Sequence, residues 1–143
     1  MIYGKVELNC NGKLFSIELG DEVPPEVEEC PQVEILGRYS FNTSPGDITL
    51  YRFNGGLYGV TLYDTTTEVI WSISDNVLEA IKVAQDNLMS GYITDLVKVV
   101  RGLLEGDEDS RLEAERILRD ISELKQAFDS LRERAKIQLE KVS

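Results

Sequence analysis

A chain of 143 residues with 42% hydrophobic and 29% charged residues has the composition of a globular protein and not of a disordered one. Its net charge of −11 disfavours direct binding of nucleic acid, because neutralising phosphates needs clustered Lys and Arg. The sequence lacks both a signal peptide and the roughly 20-residue apolar run of a membrane span, so we predict a cytoplasmic protein without membrane contact.

The negative charge is concentrated in the first half of the chain. Residues 1–74 hold 11 acidic and 4 basic side chains, whereas residues 107–143 hold 10 acidic and 8 basic ones. An acidic surface attracts basic partners. One role open to the chain is therefore that of an acidic inhibitor that mimics nucleic acid and occupies a DNA- or RNA-binding protein.

Residues 2–19 predict a β-hairpin. Asn11-Gly12 is a preferred pair for a two-residue type I′ turn. Folding about this pair sets Lys5 opposite Glu18 on one face and apolar residues opposite one another on the other face, as a half-buried hairpin requires. The apolar partners are Leu8 with Phe15, Val6 with Ile17, and Gly4 with Leu19.

Residues 20–32 predict an extended surface loop, because three prolines remove backbone donors and five carboxylates repel one another. The two cysteines, Cys10 and Cys30, are not spaced as metal ligands, and the chain has no histidine. We expect two buried or partly buried thiols. A disulfide between the two cysteines is the alternative, but a reducing cytosol disfavours it.

Four more strands are expected before residue 75. The first spans about 33–41, with its apolar residues on one face: Val33, Ile35, Tyr39 and Phe41. A second hairpin spans about 48–63 around a three-residue loop at 54–56, a register that collects aliphatic residues on one side. In it Ile48 faces Leu62, Leu50 faces Val60 and Arg52 faces Tyr58. The last strand, 68–74, aligns Val69, Trp71 and Ile73.

The hydrophobic period changes at Ser74 from two residues to about 3.6, which indicates helix. Asn76 is a good N-cap, and a helix should run to about Leu104 with Gly106 at its end. A second helix follows. Its residues 114, 117, 121, 124, 128, 131, 135, 138 and 142 form a seam with the 3-4 spacing of a coiled coil.

The first helix is apolar on almost every side between residues 92 and 104. One side can pack on the last helix in an antiparallel helical hairpin. Another apolar side then lacks a partner, and either the β-domain or a second subunit could cover it.

No catalytic constellation is visible. Without histidine there is no Ser-His-Asp arrangement, and the common nucleotide-binding glycine motifs are absent. The carboxylate pairs Glu28 with Glu29 and Asp64 with Glu68 could in principle hold a cation, although such neighbours arise by chance among 26 acidic residues. We predict no enzymatic activity, no cofactor and no metal.

Two surface features could meet a partner. The tip of the second hairpin carries Phe53, Leu57 and Tyr58, which either form an exposed contact or fold back onto the helices. The acidic residues between 21 and 29 could meet a basic partner, although a charge run is more often solvated.

Together these patterns predict an α+β protein with an antiparallel β-domain of about six strands at 1–74 and a helical hairpin with a coiled-coil-like last helix at 75–143. The predicted function is that of a non-enzymatic interaction or assembly module that forms a homodimer or higher homo-oligomer. The predicted oligomer interface consists of Ile117, Ile121, Leu124, Phe128 and Leu131. Besides the nucleic-acid mimic, a β-domain that binds a small ligand is a third hypothesis.

Overall fold

The computed structural model describes residues 1–142, with side chains up to residue 140, so the last seam position, residue 142, lies outside the described side chains. The predicted α+β class is confirmed: six strands in two antiparallel sheets precede two long helices over these residues. The elements are β1 (Lys5–Cys10), β2 (Lys13–Glu18), β3 (Glu34–Ser40), β4 (Asp47–Phe53), β5 (Leu57–Tyr63), β6 (Glu68–Ser74), α1 (Val77–Leu104) and α2 (Asp109–Val142).

The β1–β2 hairpin has the predicted turn and register. Asn11 and Gly12 both have positive φ, 56° and 89°, as a type I′ turn requires. The Asn9 side chain accepts a hydrogen bond from the Gly12 amide at 3.0 Å. The strand partners are Val6 with Ile17, Leu8 with Phe15, and Lys5 with Glu18.

The second hairpin is also confirmed, and it forms the centre of a four-stranded sheet with the order β3-β4-β5-β6. Its partners are Ile48 with Leu62, Leu50 with Val60, and Arg52 with Tyr58. Period-two alternation together with the turn composition was enough to predict this register.

The predicted facing of β3 is wrong, because the strand contains a β-bulge. Ile35 pairs with Tyr51 and Gly37 with Leu50, so Leu36 is an extra residue that breaks the alternation. Val33 then packs on one side of the sheet, whereas Tyr39 and Phe41 pack on the other.

The predicted alignment in β6 is wrong for the same reason. Val60 pairs with Ser72 and Thr61 with Ile70, which makes Trp71 the extra residue. As a result Ile70 and Ile73 face one side of the sheet together, while Trp71 packs on the helix side.

The sheet is the middle of three layers. One face packs on the helices and shares a core with them that includes Ile48, Leu50, Val60, Ile81, Leu124 and Phe128. The other face is covered by the β1–β2 hairpin and residues 23–30, in a second core that includes Val6, Leu8, Val27, Tyr51, Ile70 and Ile73.

Residues 20–32 are not the extended surface loop that their composition predicts. Pro25–Glu29 is a short 3-10 helix, and Val27 is fully buried. Just before it the backbone joins the edge of β6: the Gly20 amide donates to Ile70 O at 2.9 Å and the Val23 amide to Glu68 O at 2.7 Å. The acidic side chains of this stretch are exposed, whereas Val23, Val27 and Cys30 are buried against the sheet.

The expectation of free thiols is also wrong, because Cys10 and Cys30 form a disulfide. Their Cα atoms are 4.9 Å apart, within the ordinary range for such a bond. The two cysteines are 20 residues apart in the chain. They come into contact only because residues 24–31, here called the 3-10 segment, fold back over the end of β1.

The two helices form the predicted antiparallel helical hairpin. Asn76 caps α1, since its side chain accepts hydrogen bonds from the Leu78 and Glu79 amides, and Gly106 follows the end of α1 with φ 91°. Neither helix, over the described residues, is long and apolar enough to cross a membrane.

Glu123 ties α2 to the turn between β3 and β4. Although buried, its carboxylate accepts hydrogen bonds from the Asn42 and Thr43 amides at 2.9–3.0 Å and from the Thr43 hydroxyl at 2.9 Å. Burial acts to raise the pKa of Glu123, but these hydrogen bonds outweigh it, so the pKa lies below its ordinary value of 4.5.

We predict that Gly12→Val destabilises the protein by about 1–2 kcal/mol, since a β-branched residue is strained at positive φ. The melting temperature should fall by several degrees in a thermal scan. Gly4→Val is the matched control, because Gly4 has no positive φ and open space around its Cβ position. Equal melting temperatures for the two variants would contradict the turn assignment.

We predict that Glu123→Gln costs about 1–2 kcal/mol at neutral pH, because hydrogen bonds to a charged acceptor are stronger than those to an amide. A lowered pKa stabilises the fold above the ordinary value, and this contribution is lost as pH falls through the pKa of the folded state. Chemical denaturation should show the difference from wild type shrinking below about pH 4. The exposed Glu115→Gln is the control and should change little. A pH-independent difference would rule out the charged hydrogen bonds as its cause.

Candidate functional site

The helical hairpin extends beyond the sheet. The buried residues of α1 end at Leu88, and none of its next 16 residues is fully buried. From there α1 has α2 as its neighbour. The two helices approach closely near their connection, where a Cβ added to Gly102 would lie 2.5 Å from the Ser110 hydroxyl.

Two rows of apolar residues run along this part of α1. Tyr92, Leu96 and Val99 are half-buried. Their spacing of four and three residues places them on one side of α1, the side that packs on α2. The second row, here called the outer row, consists of Ile93, Val97, Val100 and Leu104. Its 4-3-4 spacing keeps these four side chains on one side of the helix.

The outer row is exposed. Ile93 is 52% accessible, Val97 47%, Val100 41% and Leu104 84%. Single exposed apolar residues are normal on protein surfaces, but a contiguous row of four is the pattern of a contact surface.

Leu118 of α2, 53% exposed, extends the same surface. Asp95 of α1 and Arg116 and Asp120 of α2 line a groove on the other side of the α1–α2 contact. Leu118 lies about 160° around α2 from both Arg116 and Asp120, and Val97 lies about 160° around α1 from Asp95. The outer row and Leu118 therefore share the side of the helical hairpin opposite this groove.

The charge around the outer row is low. Between residues 90 and 104 the chain holds Asp95, Lys98 and Arg101, a local net charge of +1 in a chain of −11. A segment of such low net charge adds little electrostatic repulsion between two copies.

The predicted oligomer interface lies mostly inside the chain. Ile117, Leu124, Phe128 and Leu131 are buried, and Ile121 is half-buried. Leu124, Phe128 and Leu131 belong to the core that the helices share with the sheet. Side chains without exposed area offer little to a second copy, so the outer row is the better candidate surface.

The predicted partner contact at the hairpin tip is also largely covered. Phe53 is buried on the hairpin side of the sheet and stacks on Tyr51, with ring centroids 5.6 Å apart. Leu57 packs on that side and Tyr58 on the helix side, both half-buried.

A second candidate is a cavity of about 460 Å³ between residues 22–28 and the sheet, here called the polar pocket. Strands β3 to β6, the turn before β6 and the 3-10 segment all contribute residues to it. Because these residues are far apart in the chain, no local sequence pattern predicts the pocket. Its lining residues are Glu22, Val23, Pro25, Glu28, Arg38, Asp47, Tyr63, Thr66, Thr67 and Glu68.

Most charged groups of the polar pocket are engaged with one another. Arg38 pairs with Glu28 and donates from Nε to the Thr49 hydroxyl at 3.0 Å. The carboxylate of Glu68 accepts from the buried Tyr51 hydroxyl at 2.7 Å and from the Thr61 hydroxyl at 2.6 Å.

These contacts set the protonation of the pocket. Burial raises the pKa of Tyr51, and its hydrogen bond to Glu68 raises it further, so the phenol stays protonated. Burial likewise raises the pKa of Asp47. The arrangement can hold a polar group, but the Tyr51 phenol is fixed as a donor and not as a base.

The structure gives Asp64 and Glu68 separate roles. Asp64 lies in the turn before β6, where hydrogen bonds from the Thr67 and Thr66 amides and the Thr66 hydroxyl lower its pKa to about 2. Glu68 instead faces the polar pocket. No group of three or more Asp, Glu, Cys or His among the described residues is arranged to hold a metal ion.

Comparison of the chain with known protein families, with curated proteins and with solved structures finds no match. The candidate sites therefore stand on their own geometry and chemistry.

Proposed function

We propose that the protein is a non-enzymatic assembly module whose copies associate through the outer row and Leu118. The observation that carries this proposal is the exposure of the outer row along a part of α1 that the sheet does not reach. The sequence-based proposal placed the contact on the α2 seam, and we place it on the adjacent side of the helical hairpin.

A two-fold contact makes a second copy of the chain a suitable partner for the outer row. Burying a half-exposed Val or Ile contributes on the order of 1 kcal/mol, and a two-fold contact counts every such side chain twice. Ten such side chains contribute about 10 kcal/mol in all, which exceeds only the lower part of the association cost of about 4–15 kcal/mol. The expected result is therefore a weak dimer, with a Kd of roughly tens of micromolar or higher. The two helical hairpins would then form a four-helix bundle beyond the sheets.

Salt separates this proposal from its main alternative. Two chains of −11 repel each other, and screening by salt weakens that repulsion, so apolar association should persist or strengthen as salt rises. An acidic nucleic-acid mimic should instead lose its basic partner at high salt. Its support is the net charge of −7 in residues 1–74, where Asp21, Glu22, Glu26 and Glu29 are exposed.

The structure bears differently on two further sequence-based predictions, which both stay predictions. The prediction of no enzymatic activity is supported by the contacts of two pocket carboxylates: Glu28 pairs with Arg38, and Glu68 accepts hydrogen bonds from Tyr51 and Thr61.

The predicted cytoplasmic location is opposed by the Cys10–Cys30 disulfide, because disulfides are rare in a reducing cytosol. Trapping of free thiols in intact cells tests the location.

We predict that Val97→Glu abolishes self-association. A carboxylate in the middle of the outer row would be buried unpaired in the dimer, but at 47% exposure it should be tolerated in the monomer. Light scattering on samples in the high-micromolar range should give close to twice the chain mass for wild type and one chain mass for the variant. Circular dichroism should show the same helix content for both.

Leu112→Glu is the matched control. Leu112 is 71% exposed but lies about 140° around α2 from the buried Ile117, on the side away from α1. This variant should associate like wild type. A monomeric wild type, or equal loss of association in both variants, would contradict the proposed contact.

A further inference from the structure

The 3-10 segment is held in place by side chains. Among the described residues, the turn and loop backbone hydrogen bonds of residues 24–31 close within the segment or onto Val33: the Val27 amide donates to Pro24 O, the Cys30 amide to Val27 O and the Val33 amide to Cys30 O. The ladder contacts with β6 stop at Val23. The segment therefore lacks the backbone anchoring of the strands around it.

Three kinds of side-chain contact fasten the segment. Val27 is buried in the hairpin-side core, Glu28 pairs with Arg38 and approaches the Tyr51 hydroxyl at 3.3 Å, and Cys30 is bonded to Cys10 at the end of β1. The disulfide is the covalent one of the three, and it joins the end of the segment to the hairpin.

The same segment forms a wall of the polar pocket. Pro25 and Glu28 of the segment line one side together with Glu22 and Val23, which precede the segment. The opposite side is built by residues of the four-stranded sheet such as Arg38, Asp47 and Glu68. The sheet wall is fixed by strand pairing, and Glu22 and Val23 are fixed by their backbone contacts with β6. The positions of Pro25 and Glu28 instead depend on the side-chain contacts.

We propose that the Cys10–Cys30 disulfide is a redox-sensitive latch that closes the polar pocket. Two-electron reduction by a dithiol breaks the S–S bond, gives two cysteine thiols and converts the dithiol to its own disulfide, with both protons coming from the dithiol. Residues 24–31 then open locally, and Glu28 leaves Arg38 and Tyr51. Exchange with a small-molecule disulfide reverses the step: the two cysteine thiols give two electrons and both protons to that disulfide, which becomes two thiols, and the pocket closes again.

The opening is local because the rest of the fold does not depend on the disulfide. The core between the sheet and the helices contains neither cysteine. The β1–β2 hairpin keeps its own ladder and its attachment to β6, where the Tyr3 amide donates to Ile73 O at 2.9 Å. The latch lies on the opposite face of the sheet from α1, so it is independent of the proposed association surface.

Amide hydrogen exchange followed by mass spectrometry tests the latch on the full chain, with and without dithiothreitol. Peptides that contain the Val27 and Cys30 amides should exchange at least tenfold faster after reduction, while peptides from β4, β5 and α1 keep their rates. Removal of the reductant and reoxidation should restore the slow rates.

Two variants sharpen the test. The Cys10→Ser/Cys30→Ser double variant should exchange fast in residues 24–31 under both conditions and show no response to dithiothreitol. Oxidised Glu28→Gln should stay protected there, because the disulfide still holds the segment. Equal exchange in oxidised and reduced wild type would overturn the proposed latch. Faster exchange throughout the chain would also contradict it, because the disulfide would then stabilise the whole fold and not one local segment.

Discussion

The four-stranded sheet has two apolar faces, and the rest of the structure follows from the need to cover both. On one face Ile48, Leu50 and Val60 require the helices, and on the other Tyr51, Ile70 and Ile73 require the β1–β2 hairpin and the buried Val27. A seven-residue strand is only about 23 Å long, while α1, with 28 residues, is about 42 Å long. The helices that cover the sheet must therefore extend beyond it, and their apolar residues extend with them.

The parts of the fold that could be predicted from the sequence are those that local chemistry determines. Asn11-Gly12 dictates the first turn, and alternation fixes the partners of Leu8 and Leu50. The bulges at Leu36 and Trp71 lie on the two edge strands of the sheet, where bulges are common, and alternation of apolar and polar residues does not indicate them. The disulfide and the polar pocket were missed because their residues are distant in the chain and converge only when the 3-10 segment folds over the sheet.

The helices show how far periodicity can be interpreted. The seam on α2 has the 3-4 spacing of a coiled coil, but its residues Leu124, Phe128 and Leu131 pack on the sheet and α1 of the same chain. The unusual feature is the second apolar row on α1, which the sequence indicates through residues 92–104 being apolar on almost every side. Periodicity identifies an apolar side of a helix but not the surface that covers it. Ile93 and Val97 remain exposed because the sheet is too short to reach them.

The central claim is that one side of the helical hairpin contacts its own chain and the adjacent side contacts a second copy. Isotope-filtered nuclear Overhauser spectroscopy on a mixture of labelled and unlabelled chains tests it most directly, because only contacts between copies give signals. We expect signals between copies from the methyl groups of Ile93, Val97, Val100 and Leu118. Signals from Leu124 and Leu131, or none from any methyl group at a concentration where the mass is doubled, would contradict it.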